Sequence, residues 1–332
     1  MSTDVAVLVL TGSLASLAGQ YLSATGHASP ASQIFPWARY TSTFLYAASS
    51  RLLGGRRAQP LSARQRRLLT LIGVLDTTAY ILFTLGFYAC GAATAGVLLA
   101  ASSQVLTAAA SHWVLGKRLN GVQAAAIGTI LAGLAVRFGG KGSADAGKSA
   151  PLVGQGVGMA ALVAAAALYA SMGVVYEALH AGDNGPAPTY ADISWHNSRL
   201  GFGLTSAYVA LYTWPRREEL LAFPAPTATA LWLAVFGLSI NLHMAWQARV
   251  FRTAGAMAVA LANAVRGAAL TLVSAALFCS PDKPWLCLDR RGALSVALTI
   301  AGGYLWSTAK RGAAVSGSDD ADDEVADSKK TK

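Results

Sequence analysis

The stretch AMAVALANAVRGAALTLVSAALF, from Ala256 to Phe278, is mostly apolar and carries one charge, Arg266, near its centre. Its length is that of an α-helix that crosses a bilayer. The guanidinium would then lie near the middle of the membrane, where a charge costs about 2.5–3.5 kcal/mol on insertion scales. We therefore expect an anionic ligand or a water-filled cavity beside Arg266.

The composition of the whole chain agrees with a membrane protein. Charged residues make up 13% of the sequence, against about 25% in a soluble domain. Apolar runs of bilayer-spanning length recur, and they predict an all-α membrane protein with ten transmembrane helices. The predicted spans are residues 4–24, 31–52, 68–90, 93–115, 120–138, 153–179, 193–214, 226–248, 254–279 and 290–309.

The distribution of lysine and arginine predicts the orientation of the chain. Two loops on the same side, between spans two and three and between spans four and five, are rich in basic residues. These residues are Arg51, Arg56, Arg57, Arg64, Arg66, Arg67, Lys117 and Arg118. That side is predicted to be cytosolic, which makes both termini of a ten-span chain cytosolic. We attribute the net charge of +10 to topology and anionic lipid contact, and not to nucleic-acid binding.

The C-terminal sequence predicts a location in the cell. Residues 312–332 are polar and acidic, which predicts a disordered cytosolic tail. Lys329 and Lys330 stand at the positions of a dilysine retrieval signal, which coat proteins read from the cytosol. We therefore expect a membrane of the endoplasmic reticulum or Golgi, with a chance pair of lysines as the alternative.

Cys279 and Cys287 flank a short loop on the predicted lumenal side. An oxidising lumen permits a bridge between them, and two free thiols are the alternative. Cys90 is left over in either case.

An internal repeat divides the chain into halves. Residues 118–136 and 287–305 align without gaps at an offset of 169 residues, so that Gly133 matches Gly302. This weak similarity predicts two repeats of five helices, with the first at 1–140 and the second at 153–311, joined by a loop at 141–152. Because five is odd, the repeats would have inverted topology, with a binding site near the midplane between them.

Short motifs occur in the second half of the chain. Span six contains Gly173, Val174, Tyr176 and Glu177, and span seven contains HNSRLG at 196–201. Spans nine and ten contain NAVRG at 263–267 and LWSTAK at 305–310. Through these motifs the chain resembles the drug/metabolite transporter superfamily, and within it the nucleotide-sugar and triose-phosphate transporters. The resemblance implies a carrier of phosphate-bearing metabolites.

Two positions differ from the pattern of that family. Gly267 stands where the family has arginine, and Ser103 stands where related carriers have lysine. Arg266 is therefore our candidate for the anion-binding residue, because a guanidinium can donate two parallel hydrogen bonds to a phosphate. Asn263 lies three residues earlier on the same helical face, and Ser103 and Gln104 lie at similar depth in span four.

Four further residues complete the predicted site. Tyr80 and Tyr176 are candidate platforms for a nucleobase, and the family motifs add Glu177 and Asn197.

Each candidate also has a structural interpretation. The polar side chains could bond neighbouring helices, and Arg266 could form an ion pair with Asp76. Arg39 is expected to extend to the lumenal interface.

The sequence thus predicts an alternating-access antiporter for nucleotide sugars or related phosphate-bearing metabolites. Its expected partners are a small anionic substrate and the lipid bilayer, and the sequence leaves undecided whether the protein forms a homodimer. We expect no metal, no cofactor and no enzyme activity, since metalloprotease and hydrolase motifs are missing from the sequence. The alternatives are a drug exporter or vitamin carrier for a solute without phosphate, and a membrane scaffold that does not transport.

Overall fold

The computed structural model describes residues 3–26, 29–53, 61–90, 92–116, 119–138, 154–180, 188–280 and 287–306. Within those ranges the chain is almost entirely helical and contains no β-strand. The predicted connecting loop, the acidic tail, the dilysine pair and several of the loop arginines lie outside the described residues.

The helices follow one another with short connections. They are α1 (Thr3–Ala24), α2 (Ile34–Leu53), α3 (Ala63–Cys90), α4 (Ala92–Leu115), α5 (Gly121–Phe138), α6 (Gln155–His180), α7 (Tyr190–Tyr208), α8 (Arg217–Leu220), α9 (Pro226–Ala254) and α10 (Ala256–Phe278). A last helix, α11, covers residues 290–306.

Six of the described helices, α1, α3, α4, α6, α9 and α10, are long and apolar enough to cross a membrane. They indicate an all-α, multi-pass membrane protein. The ten spans and the inverted repeat stay predictions.

The helices pack in pairs through small residues. The most extensive contacts join α3 to α6, α1 to α9, α4 to α6, α2 to α7 and α4 to α10. On α10, a Cβ at Gly267 would lie 3.2 Å from the carbonyl oxygen of Gly96 on α4. Glycine at this position lets the two backbones approach closely, as is common between membrane helices.

Gly255 separates α9 from α10, and a residue with a side chain would not fit at this position. Its φ of +81° lies in the left-handed region, and a Cβ there would lie 2.7 Å from Oε1 of Glu177. The same carboxylate oxygen accepts a hydrogen bond of 2.5 Å from the backbone N–H of Ala256. Glu177 therefore caps the N-terminus of α10, where a negative charge is favourable.

Cys279 and Cys287 are joined by a disulfide bond in the structure. Of the two alternatives that the sequence left open, the bridge is the one observed. It ties the end of α10 to the start of α11 across the intervening loop.

Candidate functional site

A central cavity lies among α1, α2, α3, α4, α6, α9 and α10. Its empty volume, including space open to solvent, is about 1220 Å³. Gly12, Asp76, Ser103 and Arg266 line it, and each stands near the middle of its helix. The cavity is therefore at mid-depth in the helical bundle.

Arg266 points into the central cavity and is held by His243 of α9. Its Nη1 lies 3.0 Å from Nε2 of His243, and Nδ1 of the same ring lies 3.1 Å from the carbonyl oxygen of Leu8. A guanidinium can only donate, so Nε2 accepts and Nδ1 carries the proton that is donated to Leu8. Both ring nitrogens are thus engaged, and the tautomer of His243 is fixed.

Arg266 forms no ion pair with any described carboxylate. The predicted alternative, a pair with Asp76, is wrong because Asp76 is bound by Arg39 instead. Nη2 of Arg39 lies 2.7 and 2.9 Å from the two carboxylate oxygens, and the hydroxyl of Tyr40 donates to Asp76 at 3.0 Å.

The predicted interfacial position of Arg39 is also wrong. Its side chain is 5% exposed and that of Asp76 is 0% exposed, and its guanidinium carbon lies 4.0 Å from the centroid of the Tyr80 ring. A carboxylate and an aromatic face together replace the water that a long cationic side chain would otherwise reach.

The structure brings four of the predicted site residues together. Arg266, Asn263, Ser103 and Tyr80 all line the central cavity. Gln104 does not, although it follows Ser103 directly. It is fully buried, and neither amide atom has a hydrogen-bond partner among the described residues.

The other three predicted residues also lie outside the central cavity. Tyr176 stacks on Phe251, with ring centroids 4.6 Å apart, and Glu177 caps α10. Tyr176 and Asn197 line a smaller cavity that also touches Arg39. Tyr176 thus packs α6 against α9, and Glu177 joins α6 to α10.

Sequence reasoning missed His243, Tyr169 and Gln247, which line the central cavity as well. The signal for His243 was its place inside an otherwise apolar span, since ionisable residues at membrane depth mark functional sites by default.

The rest of the lining is mostly apolar, with five phenylalanines. It includes Phe35, Phe83, Phe87, Phe236 and Phe251. The Arg39–Asp76 pair contributes no net charge, so Arg266 supplies the positive charge among the described residues of the wall. Such a wall suits a ligand with one anionic group and a ring or apolar body.

Comparisons with known proteins show a shared fold. No protein-family model matches the chain, and no curated protein is significantly similar. A solved crystal structure of another protein aligns with 93% of this chain and 96% of its own, with a TM-score of 0.64 and 19% sequence identity. Structural similarity at this level of sequence identity does not establish a function, and the function has to be argued from the site.

Proposed function

We propose that the protein is a secondary transporter, an alternating-access antiporter for nucleotide sugars or related phosphate-bearing metabolites of an endoplasmic reticulum or Golgi membrane. The observation that carries the proposal is the guanidinium of Arg266 inside the central cavity, which pairs with no described carboxylate. A partly buried cation at membrane depth without a described counterion is expensive. An anionic cargo that visits the cavity would offset that cost.

The neighbours of Arg266 suit a phosphate group. The guanidinium can bind two phosphate oxygens in parallel. Asn263 and Ser103, which line the same cavity, offer donors for the remaining oxygens. The guanidinium of Arg39 covers one face of the Tyr80 ring, so a base would stack on the opposite face.

The pattern of helix contacts supports two inverted five-helix halves. In this arrangement α1, α2, α3, α4 and α5 correspond in that order to α6, α7, α9, α10 and α11. Exchanging the halves then converts the contact of α3 with α6 into that of α9 with α1. It also converts the contact of α4 with α6 into that of α10 with α1. All four contacts are present, as are the self-paired contacts α2–α7 and α4–α10. Inverted repeats have their substrate site at the interface between them, and helices of both proposed halves line the central cavity.

The contact between α5 and α11 supports the same symmetry at residue level. A Cβ at Gly133 would lie 3.0 Å from the carbonyl oxygen of Ser295, and a Cβ at Gly302 would lie 2.8 Å from that of Ala126. The repeat offset of 169 residues converts the first contact into the second. Such reciprocity is the signature of a two-fold axis.

Exchange in reconstituted vesicles tests the proposed function. Vesicles that contain the purified protein are offered a panel of radiolabelled nucleotide sugars, with and without the matching nucleoside monophosphate inside. We expect the preloaded monophosphate to raise the initial uptake rate several-fold for at least one member. Empty vesicles and free nucleosides serve as controls. An unchanged rate across the panel would contradict the proposal.

A solute without phosphate is the second candidate. It is favoured by the single net positive charge and the aromatic walls of the central cavity, which also suit an organic monocarboxylate. Adding aromatic carboxylates to the same vesicle panel separates the two classes.

Gly12 on α1 offers a test of the geometry around Arg266. A Cβ at Gly12 would lie 2.6 Å from Cδ of Arg266 and 2.7 Å from the ring of His243. Gly12→Ala should therefore displace both side chains and lower the exchange rate about tenfold or more, since small displacements at a binding site are costly. Gly19→Ala is the matched control on the same helix and cavity, because its nearest neighbour is 3.9 Å away. Equal rates for the two variants would argue against this geometry.

A further inference from the structure

His243 is a buried titratable group that anion binding alone does not require. It is 3% exposed and lies inside the apolar part of α9. Its two ring nitrogens are engaged by Leu8 and Arg266. Asparagine or glutamine could satisfy an arginine equally well, so the presence of an imidazole adds the capacity to bind a proton.

Burial of the ring disfavours its charged form, and the bond to Arg266 opposes the proton as well. A protonated imidazole has two N–H donors and no acceptor, so Nε2 would lose its bond from Nη1 of Arg266. Two positive charges would then face each other at about 3 Å inside a poorly screened cavity. His243 is therefore held neutral while Arg266 is not bound to an anion.

We infer that an anion bound to Arg266 allows His243 to take up a proton, so that the cargo crosses the membrane with a proton. This inference rests on the proposed function. The anion draws Nη1 away from Nε2 and cancels the charge of the guanidinium. A proton from water on the entry side then binds Nε2, and the new N–H donates to the anion. On the exit side the anion leaves, the repulsion returns, and the proton is released to water.

The coupling is reciprocal by thermodynamic necessity. If anion binding favours the proton, the proton favours anion binding by the same factor. The carrier would thus load best on the more acidic side and unload best on the other. No metal or further reactant is needed, since one proton enters and the same proton leaves.

The other titratable groups of the central cavity do not replace His243. Asp76 of α3 is bound by Arg39 of α2 and by the hydroxyl of Tyr40. Tyr80 of α3 and Tyr169 of α6 are neutral at physiological pH, since a free phenol ionises only near pH 10. The residues of α1 that contact His243 are Leu8 and Gly12, which do not titrate.

Nuclear magnetic resonance of histidine-labelled, full-length protein in lipid nanodiscs tests the inference without a substrate. The signal of His243 is assigned by its loss in His243→Gln. Between about pH 5 and pH 8, the wild-type ring should stay neutral with its proton on Nδ1. In Arg266→Gln and Arg266→Met the ring should take up its proton at a higher pH than in wild type, and in Arg266→Lys it should behave as in wild type. Two neutral variants are used so that the result does not depend on the folding of one.

The inference would be overturned if the protonation of the His243 ring followed the same pH dependence in wild type and in both neutral variants. The transport measurement uses radiolabelled UDP-galactose from the vesicle panel. Lowering the pH in both compartments should raise the affinity for UDP-galactose in wild type and should have no such effect in His243→Gln. The two proposals can fail separately. If no nucleotide sugar is taken up but the resonances shift as expected, the nucleotide-sugar proposal is contradicted while the coupling between Arg266 and His243 is supported.

Discussion

Arg266→Gln is expected to lower exchange about tenfold to a hundredfold in reconstituted vesicles. Each hydrogen bond to a charged group contributes roughly 1.5–3 kcal/mol, and each 1.4 kcal/mol is a factor of ten in affinity. Because no described carboxylate pairs with Arg266, the substitution leaves no described carboxylate without a partner. The yield and thermal stability of the purified protein should therefore remain close to those of the wild type.

Two further variants sharpen this test. Arg266→Lys keeps the charge but loses the planar pair of donors, so it should retain an intermediate rate. Arg252→Gln removes the same group from an exposed position near the end of α9 and should leave the rate unchanged. Full exchange by Arg266→Gln would exclude the guanidinium as the anion-binding group. A loss of folded protein would instead assign it a structural role.

The long helices could be predicted from the sequence because the length of an uncharged run is read directly from it. The predicted span 254–279 corresponds to α10, observed as Ala256–Phe278. The ends of helices that continue beyond the apolar run were harder to predict. The span predicted to end at 248 continues as α9 to Ala254, because hydropathy marks the edge of the membrane while the helix runs on to Gly255.

The site was harder to predict because it depends on which helical faces meet. Ser103 and Gln104 stand side by side in the sequence, yet successive residues on a helix point about 100° apart, and only Ser103 reaches the central cavity. The pairing of Arg39 with Asp76 and of Arg266 with His243 joins different helices. Periodicity within one helix contains no information about its partner.

Asp76→Ala should destabilise the protein most, by about 3–5 kcal/mol, because it leaves the Arg39 guanidinium buried without a counterion. Thermal unfolding of the purified protein in detergent measures the loss. The matched control is Asp4→Ala, which breaks the Arg249–Asp4 pair. That pair is partly exposed, with side-chain exposures of 55% and 25%, so the change should be at most about 1 kcal/mol.

The double variant Arg39→Met with Asp76→Leu separates charge from packing. Replacing both members of a buried pair by apolar groups of similar size is often close to neutral, so the double variant should recover most of the stability that Asp76→Ala loses. If the pair serves only the fold, exchange should recover too. Recovery of stability without recovery of exchange would assign the pair a part in binding the cargo. Equal losses for Asp76→Ala and Asp4→Ala would show that the pair is solvated and that the cavity wall is open at Arg39.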